Sequence, residues 1–486
     1  MSETITFDEI PYTWLVPGTY AEIHANYTKV GAFDWPAHIL IIGQMLASGT
    51  AKPLVPYDIT RTDQAPVLFG RGSILADQVR AFLKANPYNK LSALGIVDSA
   101  SGVAATQTIT LTGTATATAT RTVAIGDEEV TYAVAVGDAV AAQATALAAA
   151  INADADASVT AVAAAAVVTC TFRHKGECGN ALVISVSDSE PTGTAWAIAA
   201  GTAGSGNPSV ADAIAAIEGV WYTDITMPWT DTANLAELEA ELASRYTAMG
   251  RLDAQAYIGL NATYGTASTY ASSRESKFVC SIPANGSPTP PWKWGASLCA
   301  VAAYQSTNDP ARQLRTLTLP GVQPPVEANR FAETERNLLL GMGHSTFTVE
   351  QDGTVALERV VTNYTETGGV ADAAWRDLRT PKVSSRVRYD WRTFMQSNWP
   401  RNKLADDGSL AAEYDPTVAT PNRLKASWAG RMSLYGQKGW LENTSADAKN
   451  AVFVRDTDDR NRVNARQPLT IIGAMMVMAG RLEFAA

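Results

Sequence analysis

The sequence predicts an α/β and α+β multidomain protein, and three observations carry that expectation. The chain has 486 residues, 46% of them hydrophobic and 18% charged, enough apolar material for about three domains. Short apolar runs alternate with amphipathic helical periods on both sides of the middle, as in a largely parallel sheet. From Ser101 the composition turns abruptly to Ala, Thr and Val, with almost no charge before Asp127, which marks an inserted module.

The first hundred residues contain a buried-strand candidate, HILIIGQML from His38, and Ser73 stands as a helix cap before ILADQVRAFLKANP. Ile74, Val79, Phe82 and Leu83 share one face of that helix, and a second strand, LSALGIV, follows Pro87. Within the insert, Ile109 and Leu111 alternate, then Val123 and Ile125, then Val130, Tyr132, Val134 and Val136, with Gly126-Asp127 as a turn. Asp138 is placed to cap a helix bearing Val140, Ala144, Leu147 and Ile151, and alternation resumes at Val168, Cys170, Phe172, Leu182, Ile184 and Val186. A flexible spacer has no reason to change period from 2 to 3.6 and back, so the Ala/Thr-rich stretch is expected to fold as a small α+β module. GTAGSGNPS returns the chain to the body.

Strand VWYTDITMP, helix NLAELEAELASRYTAMG, strand AQAYIGL, a helix to Arg274, strand KFVCSIP and a helix from Trp292 to Gln305 follow. Beyond a Pro-rich passage, a helix carries Leu338 to Leu340, and Asp352-Gly353 turns a hairpin in STFTVEQDGTVALERVV. A long helix ends near Trp399; a polar loop, another helix and a final βαβ-like or hairpin segment complete the chain. The expected divisions are 1–20 as an N-terminal arm, 21–100 and 206–345 as α/β parts, 101–205 as the insert, 346–475 as a C-terminal core domain and 476–486 as a C-terminal strand or arm.

Lys and Arg number 38 against 48 Asp and Glu, a net charge of −10 that argues against bulk nucleic-acid binding. The longest apolar runs fall short of the roughly 20 residues of a membrane helix. MSETITFDEIPYTW has neither the basic start nor the apolar core of a secretion signal, so a cytoplasmic place of synthesis is expected. Four cysteines, Cys170, Cys178, Cys280 and Cys299, are too sparse for a disulfide framework.

Fragments that imitate active sites fail one by one. GMGHSTF begins like a nucleophile elbow, but Phe347 stands where that turn needs a small residue, and a hairpin follows instead of a helix. GRGS at Gly70 lacks the third glycine and the lysine of a phosphate loop, and Pro228 and Trp229 stand where a phosphate would need bare backbone. Cys170, His174 and Cys178 have no fourth ligand nearby to close a zinc site, and His24, His38 and His344 have no paired carboxylates at a recognisable spacing. No catalytic, cofactor or metal residue is assigned. One basic stretch remains, TPKVSSRVRYDWRTFMQSNWPRNK, in which Lys382, Arg386, Arg388, Arg392, Arg401 and Lys403 stand against Asp390 alone. It is either a solvated helix face or a surface steering an acidic partner.

In order along the chain, VPGTYAEI, HILIIGQ, FGRGSILADQVRAFLKANP, AQATALAAAINA, the turn KGECGN, GNPSVADAIAAI, VWYTDITMPWTD, DPARQLRTLTLPGVQPP, RFAETERNLLLGMGHSTFTV, VALERVVTNYTE and WPRNKLADD resemble the tail sheath proteins of contractile phage tails, in the Mu-like branch. The resemblance spans nearly the whole chain; Cys178 inside the KG/GN turn and the threonine-rich Thr112 to Thr120 depart from it. It implies a structural subunit and no enzyme, with a mixed α/β core domain formed by both chain ends and protruding domains inserted between. It also implies hexameric rings stacked helically around a tail tube and contracting to drive that tube through a host envelope, without nucleotide or other cofactor. The implied partners are further copies of the chain, the tube protein, baseplate and tail terminator proteins, with no direct nucleic acid and no membrane insertion. The implied location is the virion tail, after assembly in the host cytoplasm. The implied arms match Ile5, Phe7 and Ile10 at one end and Leu482 and Phe484 at the other, which suit strand addition to a neighbour's sheet or pairing within the same subunit. Lys382, Arg386, Arg388 and Arg392 would then face the tube. A non-contractile self-assembling or adhesive surface protein is the other class the residues leave open.

Overall fold

The structure, a computed structural model, describes residues 15–20 and 31–484. Ile5, Phe7 and Ile10 lie outside the described residues. The chain forms two compact units, one of residues up to Asp34 with Asp390–Leu469, the other of Trp35–Tyr389 with Thr470–Ala486.

The larger unit is built on a six-stranded sheet. Its strands are β1 (His38–Gln44), β2 (Pro56–Ile59), β3 (Lys90–Ile96), β11 (Asp224–Thr226), β12 (Gln255–Leu260) and β13 (Val279–Pro283), in the order β13-β12-β11-β1-β3-β2. All neighbours are parallel except β2 and β3. The unbroken apolar run of β1 is explained by burial on both sides: Ile39 and Ile41 enter one core, Leu40 and Ile42 the other. Helices α1 (Gln64–Phe69) and α2 (Ile74–Ala85) connect β2 to β3, and Ser73 caps α2 by accepting the Ala76 N–H.

Residues 104–200 fold into two small sheets and a helix. Strands β4 (Ala104–Thr112), β7 (Val159–Ala164), β8 (Val167–Lys175) and β10 (Ala195–Ala200) form one sheet; β5 (Ala119–Ile125), β6 (Glu128–Val134) and β9 (Ile184–Asp188) form the other. Helix α3 (Val140–Ala153) packs against both. Asp138 does not cap α3: Ala139 holds that position, and the Asp138 carboxylate instead accepts the Ala135 N–H, closing the turn before it. Fully buried Arg121 ties strand, helix and loop together by donating to Asp188, Gln143, Thr192 and Tyr132. The segment enters and leaves side by side, with Val103 bridged to Ser205.

Helix α4 (Ala211–Ala216) leads to β11, α5 (Thr232–Tyr246) to β12, α6 (Tyr264–Ser272) to β13, and α7 (Pro291–Asn308) packs against α2 and β12. Residues 21–100 and 206–345 are therefore not separate bodies, because β1 is flanked by β3 on one side and β11 on the other. Helix α8 (Glu333–Gly341) precedes the hairpin β14 (Thr346–Val349) and β15 (Val355–Arg359), with Gly353 at φ 83° in its turn. A short hairpin, β16 (Glu366–Thr367) and β17 (Val370–Ala371), then leads to α9 (Arg379–Asn398). The boundary between the units falls at Asp390, inside α9, so 346–389 belongs with the sheet unit and not with a C-terminal domain starting at 346.

The smaller unit contains the helices Pro421–Gln437 and Thr444–Asn450, the parallel pair Lys403–Leu404 with Val418–Ala419, and the hairpin Val452–Arg455 with Val463–Arg466. No helix or strand covers residues 472–484.

Candidate functional site

Open α/β sheets bind ligands beyond the carboxyl ends of their strands, where the order of connection reverses. That point here lies between β1 and β11. Gln44, the last residue of β1, donates its side-chain amide to the Lys175 carbonyl and to Asp98, each at 2.8 Å. His174 reaches the same Asp98 through Nδ1 at 2.7 Å, while its Nε2 faces the Ile74 N–H at 3.3 Å. An amide can only donate, so Nε2 carries the lone pair and the proton sits on Nδ1. Burial alone would raise the Asp98 carboxyl, but the His174 bond, the Lys175 N–H and the Gln44 amide outweigh it and hold it below the usual range.

The N-terminus of α2, the partly positive end that receives phosphate in nucleotide folds, is thus occupied by an imidazole from the inserted segment. Gly72, at φ 76°, also lets the insert approach closely, since a Cβ there would lie 2.5 Å from the Ala157 carbonyl oxygen. His174 drew notice in the sequence only as part of a failed zinc pattern. Its partner lies 100 residues away, and no local spacing could reveal it.

A serine and a histidine do meet elsewhere. Ser281 Oγ is 2.8 Å from His344 Nδ1, and Asn363 donates to Ser281 Oγ at 2.7 Å. His344 Nε2 is 2.9 Å from the Ala267 carbonyl, so Nε2 bears the proton and Nδ1 accepts from Ser281. No carboxylate orients the ring, all three side chains are buried, and burial pushes the His344 pKa down. The cluster is a cross-brace joining the edge of β13 to the chain entering β14, which also explains GMGHSTF: Phe347 packs on Trp294 at 4.7 Å. The four thiols are buried and pushed upward by burial, Cys170 to about 11. Among the described residues no three His, Cys, Asp or Glu side chains are grouped to hold a metal, and no helix is long and apolar enough to cross a membrane.

The expected basic surface requires correction for two of its four residues, Lys382 and Arg386, which are buried, while Arg388 is partly exposed but already paired. Lys382 is buried and paired with Asp224 of β11, which also accepts from the Tyr257 hydroxyl at 2.8 Å. Arg388 pairs with Asp253 and lies 4.3 Å over the Tyr246 ring. Arg386 is buried with its guanidinium 5.9 Å from the Trp35 ring. The Lys382 and Arg388 charges look unpaired in the sequence because their partners stand 158 and 135 positions away. Arg392 belongs to the smaller unit and is half-buried. There Asp390 is fully buried and accepts from Arg431 Nε at 3.0 Å, the Tyr435 hydroxyl at 2.7 Å and the Phe33 N–H at 2.8 Å. Arg431 also donates to the Gly31 carbonyl, so residues 31–33 are fastened to helix Pro421–Gln437.

Exposed apolar side chains are scattered along the described chain, Tyr88, Met249 and Tyr414 among them, but several follow one another closely only near the C-terminal end. Leu482 and Phe484 are 99% and 91% exposed, and Met475, Val477 and Met478 are more than four-fifths exposed. Leu15 and Val16 are exposed as well. In the smaller unit, the hairpin Val452–Arg455 with Val463–Arg466 pairs with no third strand among the described residues and presents Val454 to solvent. Extended apolar chain and short open sheets are the complementary halves of strand addition.

Two family models match the chain: the phage tail sheath protein central domain over residues 203–363 and the phage tail sheath C-terminal domain over residues 370–485, together more than half of it. It is 29% identical, over 486 residues and 99% of both chains, to the Mu-like prophage FluMu tail sheath protein of Haemophilus influenzae. Its fold is similar to the crystal structure of a sheath tail protein from Listeria innocua, with a TM-score of 0.50 and 12% identity over 91% of this chain and 94% of that one. A chain in the cryo-EM structure of the anti-feeding prophage baseplate in contracted state also has a TM-score of 0.50, with 13% identity over 97% of this chain and 99% of that one.

Proposed function

Since the chain belongs to the phage tail sheath family, we propose that it forms hexameric rings, stacked helically around a tail tube, which contract to drive the tube through a host envelope. The observation that carries this is the exposed apolar run ending in Leu482 and Phe484, which offers a neighbouring subunit an extended apolar segment to bury. Terminal segments of one subunit, residues 476–486 and the Ile5, Phe7 and Ile10 alternation, add strands to sheets of its neighbours, and the Val452–Arg455 hairpin is a suitable receiver. Backbone pairing across subunits lets units slide and rotate while staying linked.

Contraction in this reading draws on inter-subunit contacts formed on compaction, released from a kinetically trapped extended array, and uses no nucleotide. The filled crevice at Gln44 and His174 is consistent with that. Tube, baseplate and tail terminator proteins are the partners, and the 104–200 segment is a protrusion from the array. The test is electron microscopy of concentrated purified subunit, wild type against Leu482→Ser/Phe484→Ser and a deletion of Ser2 to Ile10. Wild type should give rings or hollow tubes, and both variants soluble folded subunits with unchanged melting. Tubes at wild-type yield from either variant would refute that arm's role, and a requirement of purified extended tails for ATP would refute the stored-energy mechanism.

A further inference from the structure

The inserted segment meets the sheet unit at a second polar joint, unrelated to the His174 contact. The tip of the β5–β6 hairpin, Gly126-Asp127-Glu128, enters between α2 and α7, close enough that a Cβ on Gly126 would lie 3.3 Å from Pro290. Lys293 of α7 extends its ammonium to three carboxylates at once: Asp127 at 2.8 Å, Glu128 at 3.7 Å and Asp77 of α2 at 3.8 Å. Arg80 of α2 is the second cation, 3.4 Å from both Asp77 and Glu128. Arg80 is shared, however, since it also lies 4.0 Å from Asp156, in the loop between α3 and β7, which Arg71 pairs at 2.9 Å. Lys293 and Asp77 are largely buried, and Asp77 Oδ1 has no hydrogen-bond partner beyond its ion pair with Arg80.

Three carboxylates therefore converge on one whole cation and part of another, in a place where unbalanced charge is costly. We propose that this joint is a proton-operated clasp: seating the hairpin tip between α2 and α7 takes up one proton at the Asp77 and Glu128 carboxyls, beside the Asp127 carboxylate. The 104–200 segment is then held more firmly on the sheet unit at about pH 6 than at about pH 8. Glu128 is the residue through which the proton is read. Burial, then the neighbouring Asp77 charge, pushes its carboxyl up to about 7 against the opposing pull of Lys293 and Arg80, and burial raises Asp77 as well. The sign follows. A carboxyl whose value in the seated state lies above its ordinary value favours seating at low pH and loses that contribution as the pH rises through about 7. For a single such group the ratio of seated to unseated forms falls about tenfold between pH 6 and pH 8.

Hydrogen exchange of the full-length chain measures this ratio at the amides of residues 122–130 and 71–76, corrected for the intrinsic pH dependence of exchange. Wild type should lose about tenfold in protection across that interval. Glu128→Gln should keep the acid-side protection throughout, and Asp127→Asn, which removes one repelling charge, should move the transition to lower pH. Melting of each variant checks that it folds, and Asp127→Asn decides the matter if Glu128→Gln does not. A flat wild-type profile, an unchanged slope in Glu128→Gln, or an unmoved transition in Asp127→Asn would each overturn the clasp.

Discussion

Asp390 offers the sharpest single test of what holds the smaller unit together. Its Oδ1 accepts the Phe33 N–H, and its Oδ2 accepts from Arg431 and the Tyr435 hydroxyl, all out of reach of water. In Asp390→Asn the oxygen can still serve Phe33, and the Tyr435 hydroxyl can rotate to accept from the new amide. The guanidinium cannot adapt, because it now faces an N–H with its charge unbalanced. Leaving one member of a buried pair without its partner costs about 3–5 kcal/mol, a large share of the roughly 5–15 kcal/mol that holds a domain. With a urea slope of about 1–1.5 kcal/mol/M for a body of roughly this size, the midpoint should fall by about 2 M or more. Urea titration followed by near-ultraviolet circular dichroism reads this unit through Trp391 and Trp428, which meet edge to face at 5.0 Å. Adding Arg431→Met should restore most of the loss, since the substituted amide then satisfies both remaining partners, Phe33 and Tyr435, in a neutral pocket. A single-variant cost under about 1 kcal/mol, or a double variant less stable than the single, would refute the pairing as the fastening of residues 31–33.

Lys382→Glu should unfold the sheet unit, because it sets a second carboxylate against buried Asp224; about 3–5 kcal/mol is expected, against about 0–1 kcal/mol for an exposed docking charge. Normal melting with a selective loss of tube binding would restore Lys382 as a surface residue. Ser281→Ala should cost about 1–2 kcal/mol in thermal unfolding by breaking the His344 and Asn363 bonds, and an unchanged melt would sink its bracing role.

Local physics was readable in the residues. The apolar run at His38, the Ser73 cap and the Asp352-Gly353 turn each depend on neighbours within a few positions, and the strands, helix and hairpin stand there. The switches of period after Ser101 likewise reported real strands and the helix Val140–Ala153. Pairing across long separations was not readable. Lys382 with Asp224, Arg388 with Asp253 and His174 with the start of α2 cannot be inferred from spacing, so of the charges expected on a surface Lys382 is an interior fastening and Arg388 is held by a distant carboxylate. The merging of residues 38–96 and 224–283 into one sheet was hidden for the same reason. Leu482 and Phe484 were singled out by alternation, and they are exposed, but the strand expected there is not formed within the described chain.

The bridge between Val103 and Ser205 bears on how this chain could be rebuilt. Two backbones that pair antiparallel stand about 5 Å apart, a gap that a two-residue turn can span. Excising everything between them would leave the order of the six-stranded sheet unaltered, because no strand of that sheet comes from the excised piece. The same pair of ends would accept a foreign domain whose own termini lie close together. The Val103–Ser205 stem is thus a socket for cargo, and any replacement would have to cover both a polar floor of Gln44, Asp98 and the start of α2 and the buried Trp292, on which Phe172 of the insert packs.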